Sequence, residues 1–312
     1  MSPERLHVLG AGAVGGRMAV AARRCGWPVT LLLRDAAALS VFEHIGGIEF
    51  GSEEVRTVVA MDAELADSRQ SPIRRLLVTV KAHQTRAAMQ SVRDRLSASS
   101  RIVLLQNGMG ALESAADLLP AGVAVALGTT AEGIWRRGPF RLVHAGSGET
   151  WFGPAPGYAA EADTVAPLLS APDLAAGWDT AIQRRLWLKL AVNCAINPLT
   201  ALIGCRNGLL GEPENSALLR LVCEETVAVL AGKGIRCDQP LVDLVRSVAI
   251  ATSDNRSSML QDVLAGRDTE NEYITGYLVR AADGLGLSVP VNTALLHAVR
   301  LKQGLDGDRD TA

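Results

Sequence analysis

A short apolar run, LHVLG, breaks at residue 10 into a turn carrying Gly10, Gly12 and Gly15, and a helix-forming stretch follows at once. A second apolar run, VTLLLR, completes a strand, glycine turn, helix and strand within about 35 residues. Few folds accept that order. The first glycine makes a tight turn, the second lets backbone approach a pyrophosphate, and the third allows close packing of helix on strand. The helix entry adds free amides and positive potential for phosphate. The segment Gly10, Ala11, Gly12, Ala13, Val14 and Gly15 is therefore expected to cradle a dinucleotide, the alternative being a tight turn with no ligand. A helix from Val14 to Cys25, ended by Gly26, fits the same scheme.

The runs LLVTV, IVLLQ and VAVALG continue the pattern, with helical stretches between several of them. This predicts an α/β, Rossmann-type, doubly wound parallel sheet covered by helices. FRLVH and ETWFG are spaced like an antiparallel addition to that sheet, and a helix is expected near Ala159 to Leu169. Beyond about residue 180 strand signals stop, and helix-period stretches punctuated by glycine and proline run to Gln303. The expected plan is a dinucleotide-binding domain over 1–178, an all-helical substrate-binding domain over 179–303 and a frayed polar tail over 304–312.

Composition removes several function classes. A net charge of -2 gives no electrostatic case for nucleic acid or an acidic membrane surface as partner. Five scattered cysteines without a CxxC pair read as free thiols of a reducing compartment. The five histidines lack metal-ligand spacing, so no metal is expected. The N-terminus breaks into glycines too early for a signal peptide, and no run of about 20 uninterrupted apolar residues suggests a membrane span. A soluble, cytoplasmic protein is expected, and a homodimer is compatible with the sequence.

The most apolar segment, LWLKLAVNCAINPLTALI, is interrupted by Lys189, Asn193 and Asn197, each four after the last. On a helix that spacing places all three along one stripe. Polar groups inside such a helix must face partners or a ligand, because unpaired burial is costly. The stripe reads as the floor of an active site, with a buried polar network or a domain-interface seam as the bland alternative.

Other candidates sit where parallel strands end, the edge at which doubly wound sheets bind ligands. Arg34 ends the second strand and suits the extra phosphate of NADP. Alternatively, Arg34 is a solvated strand-end residue and Asp35 serves the ribose of NAD. Lys81 follows LLVTV, and Asn107 follows IVLLQ in QNGMG; a solvated lysine and a turn asparagine are the simpler readings. Farther on, Thr269 and Glu272 have capping-box spacing, which would make Glu270 a first helical residue compensating the macrodipole. Ser258 in SSMLQD reads equally as a local backbone partner.

Together, GAGAVGG, VKAHQT, QNGMG, KLAVNCAINPLTAL and SSMLQD resemble the ketopantoate reductases (2-dehydropantoate 2-reductases) over nearly the whole chain. The long KLAVNCAINPLTAL match is the specific one, whereas the glycine motif is shared by many Rossmann proteins. The resemblance implies a Rossmann domain joined to a helical domain like that of 6-phosphogluconate dehydrogenase. It implies NADPH-dependent reduction of 2-dehydropantoate to pantoate, in pantothenate and coenzyme A biosynthesis. It makes Lys189 the proton donor and Asn193, Asn197, Asn207 and Ser258 substrate-binding groups. Asn107 becomes a contact to both cofactor and substrate, and Glu270 an acidic residue near both that assists Lys189. Arg34, Lys81 and Gln84 become cofactor-side contacts, joined by an ungapped match at Ile134.

Two places depart from the family pattern. Glu132 in GTTAEG stands where a histidine is usual, and Asn271-Glu272 replaces Ile-Asp; both are expected to line or border the cleft and bear on substrate choice. An NADP-dependent reductase or 3-hydroxyacid dehydrogenase of another oxo acid on the same scaffold is the second reading, and a dinucleotide sensor without turnover the third.

Overall fold

A computed structural model describes residues 4–68 and 71–304. The part of the expected tail after Gly304 lies outside the described residues. The chain divides into two compact units, Met1–Gln106 with Ala111–Ile182, and Asn107–Gly110 with Gln183–Ala312.

The first unit contains, in chain order, β1 (Leu6–Leu9), α1 (Ala13–Arg24), β2 (Val29–Leu33), α2 (Ala36–Ile45), β3 (Ile48–Gly51), β4 (Arg56–Val59), β5 (Asp62–Leu65), β6 (Arg75–Val78), α3 (Thr85–Val92) and β7 (Arg101–Leu104). It continues with α4 (Ala111–Ala115), β8 (Ala124–Thr130), β9 (Gly133–Gly138), β10 (Arg141–Gly146), β11 (Thr150–Pro154), α5 (Ala166–Leu169) and β12 (Ala176–Trp178). The main sheet runs β12-β11-β8-β7-β6-β1-β2-β5. Its six strands from β8 to β5 are all parallel, the doubly wound order in which connections reverse direction beside β1. The central strands β1, β2 and β6 are buried at every residue, which is why they read as continuous apolar runs rather than alternating ones.

ETWFG does extend the main sheet, as β11 antiparallel to β8. FRLVH does not. As β10 it joins a separate sheet, β4-β3-β10-β9, pairing parallel with β3 and antiparallel with β9. The physical reason is α1, whose small residues accept a second layer: Ile48, Phe50 and Leu142 of this sheet join Met18, Ala19 and Ala22 in one core cluster. The expected helix near Ala159 to Leu169 is a 3-10 turn, Ala162–Val165, running into the single-turn α5.

Arg17 of α1 lies inside that core at 1% exposure. Its Nε donates to Glu132 Oε2 at 2.8 Å, and its guanidinium also donates to the Asp173 carbonyl and stacks over Phe50 at 5.4 Å. Glu132 Oε1 accepts from Gly148 N–H at 3.1 Å, and His144 Nε2 lies 3.2 Å from its Oε2. The Glu132 departure thus serves an internal ion pair of this unit rather than a substrate-facing role, correcting the expectation at that position.

The second unit holds α6 (Ile182–Ile203), α7 (Ser216–Gly232), α8 (Leu241–Ala251), α9 (Ser258–Leu264), α10 (Thr275–Asp283) and α11 (Pro290–Lys302). Trp187, Leu190, Ala191, Cys194, Ala195 and Leu199 of α6 enter its core with residues of α7, α8, α10 and α11. By length and composition α6 is long and apolar enough to cross a bilayer, but 67% of its most apolar window is buried within the protein. Its apolarity is core-forming. Across from α6, Glu225 of α7 accepts from Val291 N–H at 2.7 Å and Asn292 N–H at 2.8 Å, capping α11 from a neighbouring helix.

The ion pair inside the first unit gives a stability prediction. Glu132→Ala strips the buried Arg17 of its close partner, leaving only the longer ion pair to Asp173 at 3.5 Å, and should cost about 3–5 kcal/mol, whereas Arg17→Met with Glu132→Leu should cost far less. Urea unfolding of the two variants checks this; a Glu132→Ala protein as stable as the parent would contradict it.

Candidate active site

The glycine turn after β1 is shaped by contacts that exclude side chains. Gly10 has φ +109°, and a Cβ there would lie 2.6 Å from the Val80 amide nitrogen. A Cβ on Gly15 would overlap the Gly10 carbonyl oxygen, so only glycine lets α1 start this close to β1. At Gly12, by contrast, a Cβ would meet nothing, leaving that backbone open to an approaching group. Gly12 is also the N-cap of α1, and no side chain caps the helix there. Free amides, positive helix potential and open backbone fit a dinucleotide pyrophosphate.

β1 has β2 on one side and β6 on the other, so the turn is flanked by the residues that follow those strands. Arg34 follows β2 and its side chain is 89% exposed. Asp35 behind it is already committed: Oδ1 accepts from Ala38 N–H at 2.8 Å as the cap of α2, and Oδ2 accepts from Arg34 Nε at 2.9 Å. The Ala38 amide and then Arg34 hold its carboxyl below the usual range. The arginine is therefore the group presented outward. After β6, Lys81 is half-buried and precedes a 3-10 turn, Ala82–Gln84, whose last residue Gln84 is exposed. Ile134 on β9 joins the same apolar cluster as Ala11 and Val14.

In the second unit, α6 carries Lys189, Asn193 and Asn197. Lys189 keeps partial solvent access along its side chain, yet burial around the ammonium is the largest influence on it. That burial pushes its pKa down to about 8, against the opposing charge of Glu270. Asn193 is half-buried and Asn197 is 5% exposed. Glu270 is 9% exposed and does not open a helix as capping-box spacing suggested. It precedes a 3-10 turn, Asn271–Tyr273, and α10 starts only at Thr275. The box fails because Thr269 Oγ1 accepts from Asn271 N–H at 3.3 Å and donates to Gln303 at 2.8 Å. Glu272 is drawn to Arg300 at 2.6 and 2.8 Å instead.

Asn271 is likewise structural, donating from Nδ2 to the Leu296 carbonyl at 3.0 Å. The Asn271-Glu272 departure therefore anchors the Glu270 turn to α11. Asn107, read from the sequence as a strand-end residue, belongs to the helical unit. Met109 N–H donates to the Tyr273 carbonyl at 2.8 Å, and a Cβ on Gly108 (φ +76°) would collide with that carbonyl. Asn107 is thereby held beside the turn that carries Glu270. Asn207 is buried, whereas Ser258 is exposed as the first residue of α9.

Sequence reasoning missed two hydroxyls that organise this region. Thr200, fully buried on α6, lies 2.7 Å from Ser257 Oγ and 2.7 Å from the Ile196 carbonyl. Ser257 in turn accepts from Leu260 N–H at 3.1 Å as the N-cap of α9. The pair joins the helix of Asn197 to the start of the helix of Ser258. A threonine three residues after Asn197 was the available signal.

A family model described as ketopantoate reductase PanE/ApbA matches residues 6–157, and its C-terminal counterpart matches 181–303. A 2-dehydropantoate 2-reductase of Vibrio cholerae is 35% identical over 94% of this chain and 96% of its own. One from Archaeoglobus fulgidus is 32% identical over 96% and 98%. A crystal structure of a PanE/ApbA family ketopantoate reductase from Ralstonia eutropha superposes with a TM-score of 0.85 at 27% identity, covering 96% of this chain and 99% of that one. D-mandelate dehydrogenase in a ternary structure with NADH and anilino(oxo)acetate shares the fold, with a TM-score of 0.87 at 21% identity over 97% and 100%. With both of its units matched and relatives this similar along nearly its full length, the chain belongs to the ketopantoate reductase family.

Proposed function

We propose that this protein reduces 2-dehydropantoate to pantoate with NADPH, as a cytoplasmic enzyme of pantothenate synthesis. The observation that carries the reading is Lys189, a lysine whose ammonium is desolvated inside an apolar helix and opposed by Glu270. Such a group is an acid poised near neutrality. The cofactor would be held by the amides of Gly10 to Gly15, by Arg34 at the NADP phosphate, and by Lys81, Gln84, Asn107 and the Ile134 backbone. When bound, it supplies a hydride equivalent to the C2 carbonyl carbon of the substrate.

Lys189 stabilises negative charge growing on the carbonyl oxygen and delivers the proton that makes it a hydroxyl, leaving a neutral amine that water reprotonates. Glu270 favours the ammonium and so keeps the proton available. Asn193, Asn197, Asn207 and Ser258 offer neutral donors and acceptors to the carboxylate and hydroxyl of the substrate. Lys189→Ala should lower kcat about a hundredfold or more with NADPH affinity nearly unchanged. A near-normal rate would remove Lys189 from the chemistry. The reaction itself is tested by following NADPH oxidation with 2-dehydropantoate beside a panel of 2-oxo acids. Activity on panel members alone would overturn the substrate and keep the reductase.

Two further outcomes follow from the charges. Reduction uses protonated Lys189, so kcat/KM falls as pH rises through about 8. Glu270→Gln removes the influence that raises this value, and the limb should move to lower pH; a limb that stays put would contradict the coupling. Arg34→Ala should weaken NADPH about tenfold or more, since a charge-assisted phosphate contact is lost, and hardly affect NADH. Equal loss for both nucleotides, measured by fluorescence titration, would defeat the phosphate contact.

A further inference from the structure

Asn207 opens a 3-10 turn, Asn207–Gly211, and is only 7% exposed. Its N–H donates to the Asn255 carbonyl at 2.9 Å, and Gly208 N–H to the Ser253 carbonyl at 3.2 Å. The turn is thereby stitched to the connection between α8 and α9, the one that delivers Ser258. The Asn207 side chain donates from Nδ2 to Thr252 Oγ1 at 2.9 Å. Thr252 has a single hydroxyl hydrogen, and it is directed to the Val248 carbonyl one turn back, at 2.7 Å. Its oxygen can then only accept, which fixes the Asn207 amide with NH2 toward Thr252 and Oδ1 away from it.

Asn207 Oδ1 is buried and has no hydrogen-bond partner among the described residues. Leaving a buried acceptor unmade is costly, and only a hydrogen donor removes the cost. Reversing the amide offers no relief, because it would strand two N–H donors and make Oδ1 compete with Val248 for one hydrogen. Of the groups on a 2-oxo acid substrate, neither the carboxylate nor the keto oxygen can donate. A hydroxyl can.

We infer that Thr252 sets the hydrogen-bonding polarity of Asn207 so that its Oδ1 accepts from a substrate hydroxyl, making Thr252 a positioning residue that selects hydroxylated 2-oxo acids. The inference rests on the reductase reading above and adds to it a residue outside the motifs that carry the family resemblance. A site built around a substrate hydroxyl discriminates strongly against analogues that lack it.

The test compares 2-dehydropantoate with 3,3-dimethyl-2-oxobutanoate, the same skeleton with a methyl in place of the hydroxymethyl group. The ratio of their kcat/KM values is measured in the parent protein, Thr252→Val and Thr252→Ser. The parent should favour the hydroxylated acid. Thr252→Val should lower the ratio about tenfold, through a raised KM for 2-dehydropantoate alone, while Thr252→Ser restores it. If the valine variant does not fold, as judged by circular dichroism, Thr252→Ala is read in its place. A ratio unchanged in the valine or alanine variant overturns the inference, as does a parent protein that reduces both acids equally well. A parent protein inactive on both acids overturns the reductase reading instead, so the two failures are distinguishable.

Discussion

The proposed chemistry of this protein depends on holding one ammonium group where water is scarce. Lys189 sits in a helix that the second unit uses as core, so most of its neighbours can offer no hydration. Desolvation drives its proton affinity down, and Glu270 limits the fall by opposing charge. Neither influence alone gives a useful acid: a fully solvated lysine holds its proton too tightly, and an unopposed buried one gives it up near neutral pH. The balance leaves a group that is charged near neutral pH and still able to part with a proton.

That balance requires Glu270 to be held firmly, and much of the helical unit is arranged to do so. The turn after Glu270 is tied to α11 through Asn271 and through Arg300 to Glu272, and Thr269 is tied to Gln303. Residues 108 and 109 press against Tyr273. Thr200 and Ser257 link α6, the helix of Lys189, to the helix that begins at Ser258. The first unit solves a different problem, keeping a glycine turn rigid at the start of α1. There the buried pair of Arg17 and Glu132 fixes the helix against the second sheet, one turn beyond the turn that would meet phosphate.

Much of this was legible in the residues. The strand-turn-helix order marked the parallel sheet because central strands are apolar throughout, and the four-residue spacing of Lys189, Asn193 and Asn197 marked the stripe because helical geometry leaves no other arrangement. What stayed hidden depends on partners distant in sequence. β5 is DAEL, with no branched run, and exists only because β2 offers it an edge. FRLVH carries a strand pattern, but which sheet it joins is decided by the surface of α1. The capping-box spacing at Thr269 was real as a pattern, yet Arg300, 28 residues after Glu272, drew the carboxylate away. Glu132 read as a cleft residue by comparison with the family, and only the position of Arg17 shows it to be half of an internal ion pair.

The central claim concerns the proton on Lys189, and it can be observed directly. The chain has only four lysines, Lys81, Lys189, Lys233 and Lys302, so side-chain resonances of a lysine-labelled sample are few enough to assign by substitution. A titration followed by nuclear magnetic resonance should show the Lys189 ammonium losing its proton around pH 8. A Lys189 midpoint at the ordinary lysine value of 10.5 would contradict the burial on which the proposed acid depends.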